Sequence, residues 1–206
     1  MKTRFRIQAI LGSAAAIAIY LAGSAIAGAQ APLAINSARI TVSGTSNIHE
    51  FTASTSTIHI TRALVSSAAA GPEFWANVLK PGSLEAFEIA IPAKTLSSPK
   101  EGLDKNMHKA LKVQEHADII FRLAQFEPLE EGAVKAIGKL TIAGVERDVT
   151  LVLKTERTAE GLSVKGDMQL LMTDYGIKPP TAMLGMLKTD PKVTIAFETL
   201  VTVPLT

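Results

Sequence analysis

The architecture of this chain can be inferred from one stretch, Val134-Lys-Ala-Ile-Gly-Lys-Leu-Thr-Ile-Ala-Gly-Val-Glu-Arg-Asp-Val-Thr-Leu-Val-Leu153. Apolar and polar residues alternate on both sides of Ala143-Gly144, which is the period of a β-strand with one buried face. Glycine favours tight turns, so the stretch predicts a hairpin that turns near Gly144. One face of this hairpin is apolar, whereas Lys135 and Lys139 lie on the opposite face.

The same alternation recurs along most of the chain and predicts about eight strands, with a less regular strand-like start at 38–62. So many antiparallel strands in a small domain favour closure into a barrel, because closure removes exposed edges. A barrel of eight strands has room for packed side chains or one small ligand. The predicted inward rows are Phe87, Ile89 and Ile91; Ile119, Phe121 and Leu123; Leu162, Val164, Met168, Leu170 and Met172; and Val193, Ile195, Phe197, Val201 and Val203.

One α-helix is predicted to be inserted in this all-β pattern. Apolar residues recur there at helical spacing, and Ser98-Pro99 before them indicates an N-cap followed by proline at the first helical position. The helix should end before Glu115. The residues with helical spacing are Leu103, Met107, Ala110 and Leu111.

Two further segments are predicted to be loops. Residues 66–82 are small, carry glycine and proline and include Phe74 and Trp75, and they predict a loop that could contain a short helical turn. Residues 174–191 carry several glycines and prolines and predict a long ordered loop.

The N-terminus has the form of an export signal. Lys2, Arg4 and Arg6 precede an apolar run from Ile7 to Ala27, which ends in small-x-small patterns that a signal peptidase reads. We therefore predict a signal peptide over 1–29 and a single mature domain over 30–206, located in the periplasm or secreted. An uncleaved anchor is the alternative, and no later stretch is apolar enough to span a membrane.

Composition excludes several functions. Without the three basic residues of 1–29, the chain carries 18 Lys and Arg against 19 Asp and Glu, a nearly neutral balance. Such a surface argues against nucleic acid as the main partner. The chain has no cysteine, which excludes disulfides, thiol catalysis and thiolate metal sites.

The residues that carry catalysis elsewhere form no recognisable motif here, so the chain is predicted not to be an enzyme. His49-Glu50 lacks the second histidine of a helical zinc motif, and His108 and His116 are too far apart to chelate from one helix. The sequence contains no Gly-x-Ser-x-Gly nucleophile motif. No metal and no catalytic residue are therefore predicted, and a hydrolase remains only a minor alternative.

Four stretches in the same order resemble the YceI-like family of exported, lipocalin-like barrels. They are Gly44-Thr-Ser-Asn-Ile-His-Glu-Phe51, the helix-then-strand segment from Leu103 to Phe121, Gly138-Lys-Leu-Thr-Ile-Ala-Gly-Val-Glu-Arg-Asp-Val149, and Met172-Thr-Asp-Tyr-Gly-Ile177.

The resemblance implies an antiparallel eight-stranded barrel with an apolar central cavity. It also implies that the ligand is a long amphiphile, such as a polyisoprenoid or an isoprenoid quinone, with no catalytic residue and no further cofactor. The chain departs from the family pattern before the strand at Ile119, where a proline is common and Ala117-Asp118 stand here.

The apolar rows supply the candidate ligand-binding residues, with His49 added as a group that could orient a head group or fasten the first strand. Whether these side chains contact a ligand or pack against each other is open at this point. Lys178 and Lys188 could meet an anionic head group or be solvated. The candidates are His49, Phe87, Ile89, Phe121, Leu140, Leu151, Met168, Leu170, Met172, Ile195 and Phe197.

Two functions are compatible with this pattern. The first is a periplasmic or secreted protein that holds a lipophilic small molecule in the barrel. The alternative is a filled barrel that contacts a partner of the cell envelope through loops 66–82 or 174–191. Phe74 and Trp75 in the first loop and a Met-Leu cluster in the second would form exposed apolar patches, the cluster being Met183, Leu184, Met186 and Leu187. Association into a homodimer is open in either case.

Overall fold

A computed structural model describes residues 33–66, 73–182 and 186–203, so the predicted signal peptide lies outside the described residues. Within these described ranges, ten strands and two α-helices follow one another. The strands are β1 (Ala34–Ser46), β2 (Glu50–Thr55), β3 (His59–Val65), β4 (Leu84–Pro92), β5 (Asp118–Pro128), β6 (Ala133–Ile142), β7 (Val145–Arg157), β8 (Leu162–Leu171), β9 (Thr181–Ala182) and β10 (Leu187–Thr202), and the helices are α1 (Phe74–Val78) and α2 (Glu101–Ala110).

The strands form one curled antiparallel sheet in the order β2-β1-β10-β8-β7-β6-β5-β4-β3, and β9 pairs with the start of β10. The two edge strands, β2 and β3, are consecutive in the chain and are joined by residues 56–58, so the sheet curls until its edges approach each other. The predicted all-β, antiparallel, lipocalin-like architecture with an inserted helix is confirmed. No helix among the described residues is long and apolar enough to cross a membrane.

The predicted strand number was too low. The strand-like start of the chain forms three strands, because it turns after Ser46 and is interrupted again between Thr55 and His59. The prediction of a loop throughout 174–191 was also wrong. Thr181–Ala182 pairs with Leu187–Lys188, and this pairing extends β10 beyond the alternating pattern that had marked it.

The central hairpin forms as predicted. Ile142 pairs with Val145, and the two turn residues have positive φ angles of 50° at Ala143 and 81° at Gly144. Two such residues are typical of the turn that matches the twist of paired strands. Val203 is the exception among the predicted inward residues, since it follows the last residue of β10 and is 40% exposed.

The buried residues concentrate towards the two ends of the curled sheet. At the end that carries α2, here called the α2 end, Leu140 and Ile142 pack with Ala143, Tyr175 and Ile177. At the opposite α1 end, the buried pair Val65 and Val78 is surrounded by Leu33, Phe74, Trp75, Leu79 and Leu84. The expectation that Phe74 and Trp75 form an exposed patch was therefore wrong, because α1 turns both side chains onto this cluster.

Charged side chains occupy the outer face of the sheet. Arg122 pairs with Glu88, which also accepts a hydrogen bond of 2.7 Å from Thr61 Oγ1. These two hydrogen bonds lower the pKa of Glu88, the one from Thr61 contributing most. Such exposed pairs add little stability, but they show that the polar half of each alternating row faces solvent.

We expect alkaline pH to destabilise the protein through Tyr175. Burial raises the pKa of this hydroxyl, so its stabilising contribution is present below the ordinary tyrosine pKa of about 10 and is lost as the pH rises through the folded value. Urea unfolding at about pH 8 and about pH 11 should show a smaller loss for Tyr175→Phe than for the native chain. The same pH dependence of unfolding in both proteins would show that Tyr175 does not cause the alkaline destabilisation.

Candidate ligand-binding site

The interior of the curled sheet is not filled. Two adjoining chambers follow the barrel from end to end, an outer chamber of about 480 Å³ at the α2 end and an inner chamber of about 240 Å³ towards the α1 end. The outer chamber alone is within the size range of small-molecule sites. Four apolar residues line both chambers and so mark the junction between them: Val42, Leu96, Ile119 and Ile195.

The inner chamber is almost entirely apolar because side chains of one face of every long strand converge there. Among its described lining residues, Thr155 and Thr199 are the only polar ones, and none is charged. Its walls come from β1 and from β4 through β10 without β9, and its far end is formed by α1. A chamber with so few hydrogen-bonding groups suits a hydrocarbon chain.

The outer chamber combines an apolar floor with a polar rim. Helix α2 covers it with Leu103, Met107 and Ala110, and Leu170, Met172 and Ile177 lie among the residues below. Hydroxyl, amide and charged groups complete the lining at the end of the barrel that carries α2. They belong to Ser46, His49, Glu50, Thr52, Ser98, Lys100, Asn106, Thr181 and Thr189.

All eleven predicted binding residues lie on these walls. Leu170, Met172 and His49 line the outer chamber, Ile195 lines both chambers, and the remaining seven line the inner one. The alternative in which they meet and fill the barrel does not describe this structure. Their contact with a ligand stays a prediction.

Several lining residues were not singled out from the sequence. The apolar face of α2 had been recognised as helical but not as a cover for a cavity, and Trp75 had been placed in a loop. For α2, the helical spacing of Leu103 and Met107 was the one signal in the sequence that could have indicated a cover over a cavity. A helix with one apolar face must bury that face against another part of the protein.

His49 is held at the rim through its backbone. Its N–H donates to Ser46 Oγ over 3.1 Å, and Ser46 Oγ donates to the carbonyl oxygen of His49 over 2.8 Å. This turn is tied to the start of β10, since the Asn47 side chain donates to Met186 O and accepts from Lys188 N, each over 2.8 Å. Neither Lys178 nor Lys188 is among the described lining residues.

Helix α2 is fastened at both ends by side-chain hydrogen bonds. The Asp104 carboxylate accepts from the backbone N–H of Ser98, and His108 Nε2 donates to the carbonyl oxygen of Leu96, each over 2.8 Å. The predicted N-cap at Ser98 was wrong. The helix begins at Glu101 after Lys100, whose backbone is extended, and Asp104 in the first turn reaches back to Ser98 instead.

Because no residue of α2 is fully buried, we expect His108→Ala to loosen the helix. Loss of one hydrogen bond worth about 1 kcal/mol should speed amide hydrogen exchange in α2 about fivefold. Lys109→Ala, which changes an exposed neighbour, is the matched control. Equal exchange in the two variants would show that the contact with Leu96 does not hold the helix.

Metal binding receives no support from the geometry. Across 33–66, 73–182 and 186–203, His, Asp and Glu nowhere gather in a group of three or more that could hold a metal ion.

Comparison with known proteins agrees with this architecture. The sequence model of the YceI-like domain matches residues 30–200. No curated protein sequence matches the chain.

Solved structures with the same fold come from several bacteria. BcnA of Burkholderia cenocepacia has a TM-score of 0.63 at 10% identity, over 80% of this chain and 96% of BcnA. A polyisoprenoid binding domain from Saccharophagus degradans has a TM-score of 0.57 at 10% identity, over 84% and 98% of the two chains. The YceI protein of Campylobacter jejuni has a TM-score of 0.53 at 12% identity, over 100% and 94%. At such low identities the similarity concerns the fold alone.

Proposed function

This chain belongs to the YceI-like domain family, and we propose that it is a non-enzymatic binding protein that holds a lipophilic amphiphile, a polyisoprenoid or an isoprenoid quinone, in its two chambers. The tail would occupy the inner chamber and continue through the junction, and the head group would lie at the rim beside α2. The polyisoprenoid binding domain from Saccharophagus degradans has the same fold, which supports this class of ligand.

The observation that carries the proposal is the apolar space left inside the sheet. Removing apolar surface from water yields about 25 cal/mol per Å², so about 200 Å² of tail would contribute roughly 5 kcal/mol. The walls are already formed by the strands, and therefore little of this free energy is spent on ordering them. An apolar cavity of this kind holds no ordered water and can therefore bind a hydrocarbon chain.

The rim favours an uncharged head group. Apart from His49, the described lining residues that carry charge are Glu50 and Lys100, one of each sign and both exposed. Serine and threonine hydroxyls and the Asn106 amide supply the other polar groups. A phosphate here would meet a single lysine, Lys100, whose charge is opposed by the Glu50 carboxylate, whereas a quinone carbonyl or an alcohol could exchange hydrogen bonds with neutral groups.

Mass spectrometry of an organic extract of the purified protein tests the proposal directly. The protein should be produced with its own N-terminal segment, so that it meets the lipids of its compartment. We expect a dominant prenylated, uncharged species in near-stoichiometric amount. An empty extract, together with no uptake of added prenyl alcohols or isoprenoid quinones, would overturn the binding function.

Export to the periplasm or the medium is part of the proposal and is supported by residues 1–29. Cell fractionation and N-terminal sequencing test it. Intact Met1 on a protein that stays in the cytoplasm would contradict it.

The alternative of a filled barrel that acts through its loops receives less support. The interior contains two chambers, and Phe74 and Trp75 pack around Val65 and Val78 at the α1 end. Of the predicted Met-Leu cluster, Met183 and Leu184 lie outside the described residues, and Met186 is 66% exposed.

A further inference from the structure

The inner chamber has a distinct far end, which is formed by α1. Trp75, Val78 and Leu79 line it there together with Leu33 and Leu84, whereas no residue of α2 contributes to this chamber among the described lining residues. The order of the strands explains the position, because α1 follows the end of β3 and precedes the start of β4. A tail that enters beneath α2 therefore points towards α1.

The indole of Trp75 is braced in place. The ring of Phe74 packs edge-on against it, with ring centroids 5.0 Å apart and an interplanar angle of 81°. Phe74 does not line the chamber, and the buried residues Val65 and Val78 complete the support. Edge-to-face aromatic pairs add stability beyond their buried area, so Trp75 presents a fixed surface to the chamber.

We propose that Trp75 sets the maximum length of the tail that the cavity accepts, an inference that rests on the proposed binding function. Residues along the walls contact every tail that passes them and so favour binding at any length. A residue at the far end meets only a tail long enough to reach it. A longer tail must leave apolar groups in water near the rim. Each further isoprene unit then adds nothing to the binding free energy.

The test compares geraniol, farnesol, geranylgeraniol and solanesol, four prenyl alcohols of increasing length. Their Kd values are measured by displacement of the fluorescent probe N-phenyl-1-naphthylamine. In the native protein, affinity should rise with length and then level off or fall. Trp75→Ala should shift the ratio of the Kd values of farnesol and solanesol by about tenfold in favour of the longer alcohol.

Three variants serve as controls. Trp75→Phe keeps a ring at the far end and should change the ratio less than Trp75→Ala. Met107→Ala alters the outer chamber beneath α2 and should weaken all four alcohols without shifting the length preference. Leu79→Phe fills the far end further and should move the preference towards shorter alcohols, which keeps the proposal testable if Trp75→Ala does not fold.

The fluorescence of Trp75 measures directly whether a ligand reaches the far end, since Trp75 is the only tryptophan of the chain. Geraniol should bind without altering the fluorescence emission of Trp75, whereas an alcohol that reaches α1 should shift or quench that emission. Displacement of the probe with the same length preference in every variant would overturn the role of Trp75. Failure of all four alcohols to displace the probe would overturn the proposed binding function instead, so the two failures are distinguishable.

Discussion

The Ile195→Trp variant should lose about a hundredfold in affinity for a prenyl alcohol or isoprenoid quinone while it remains folded. Ile195 lines both chambers, so a larger side chain there closes the passage between them. A tail kept out of the inner chamber leaves roughly 100 Å² of apolar surface in water, which costs about 2.5 kcal/mol, close to a hundredfold in Kd. Displacement of the naphthylamine probe measures the loss.

The neighbouring position provides the matched control. Ala196 lies on the same strand and is exposed on its outer face, so Ala196→Trp introduces the same side chain without entering the cavity. It should bind ligand as the native chain does. Because Ile195→Trp fills empty space, its melting temperature should stay close to that of the native protein. Unchanged affinity in a folded Ile195→Trp variant would contradict binding through the junction.

The largest effect on stability is expected for Gly138→Ala. A Cβ atom at this inward position of β6 would overlap the backbone oxygen of Arg122 and lie 2.8 Å from the ring of Phe121. A backbone oxygen in a paired strand cannot move aside cheaply, and β5 already has a bulge beside this point, between Leu123 and Gln125. We expect a loss of about 3 kcal/mol in the free energy of unfolding, measured by urea denaturation.

Gly102→Ala is the control for this prediction. A Cβ atom at Gly102, in the first turn of α2, meets nothing within 4 Å, and alanine is favoured over glycine in helices by about 1 kcal/mol. The control should therefore be neutral or slightly stabilising. Equal stability of the two variants would mean that β5 and β6 separate easily at Gly138.

Much of the sheet could be predicted because the alternation of apolar and polar residues within each strand shows which of its faces is buried. Alternation in Val134 to Ile142, and the glycine at position 144, were enough to place the central hairpin and its inward face. The number of strands was less accessible. The Thr-rich start at 38–62 lacks strong alternation. Its strand bounds appear only in the pairing of β1 with β10 and β2 and in the pairing of β3 with β4.

The candidate site, like the sheet, has a part that could be predicted from the sequence and a part that could not. The inward-facing residues of the long strands could be named from their period, and all of them except Val203, which follows the end of β10, line a chamber. The contributions of α1 and α2 could not be placed, because a helix of five or ten residues shows which of its faces is apolar but not which end of a barrel it covers.

Local pattern was therefore sufficient to infer an all-β domain whose apolar side chains share one face of the sheet, since the alternation belongs to each strand separately. Whether those side chains meet or leave a hollow depends on the curvature of the whole sheet and on the two helices at its ends. Those features arise from contacts between residues far apart in the chain, such as Ile40 with Phe197, and no local pattern contains them.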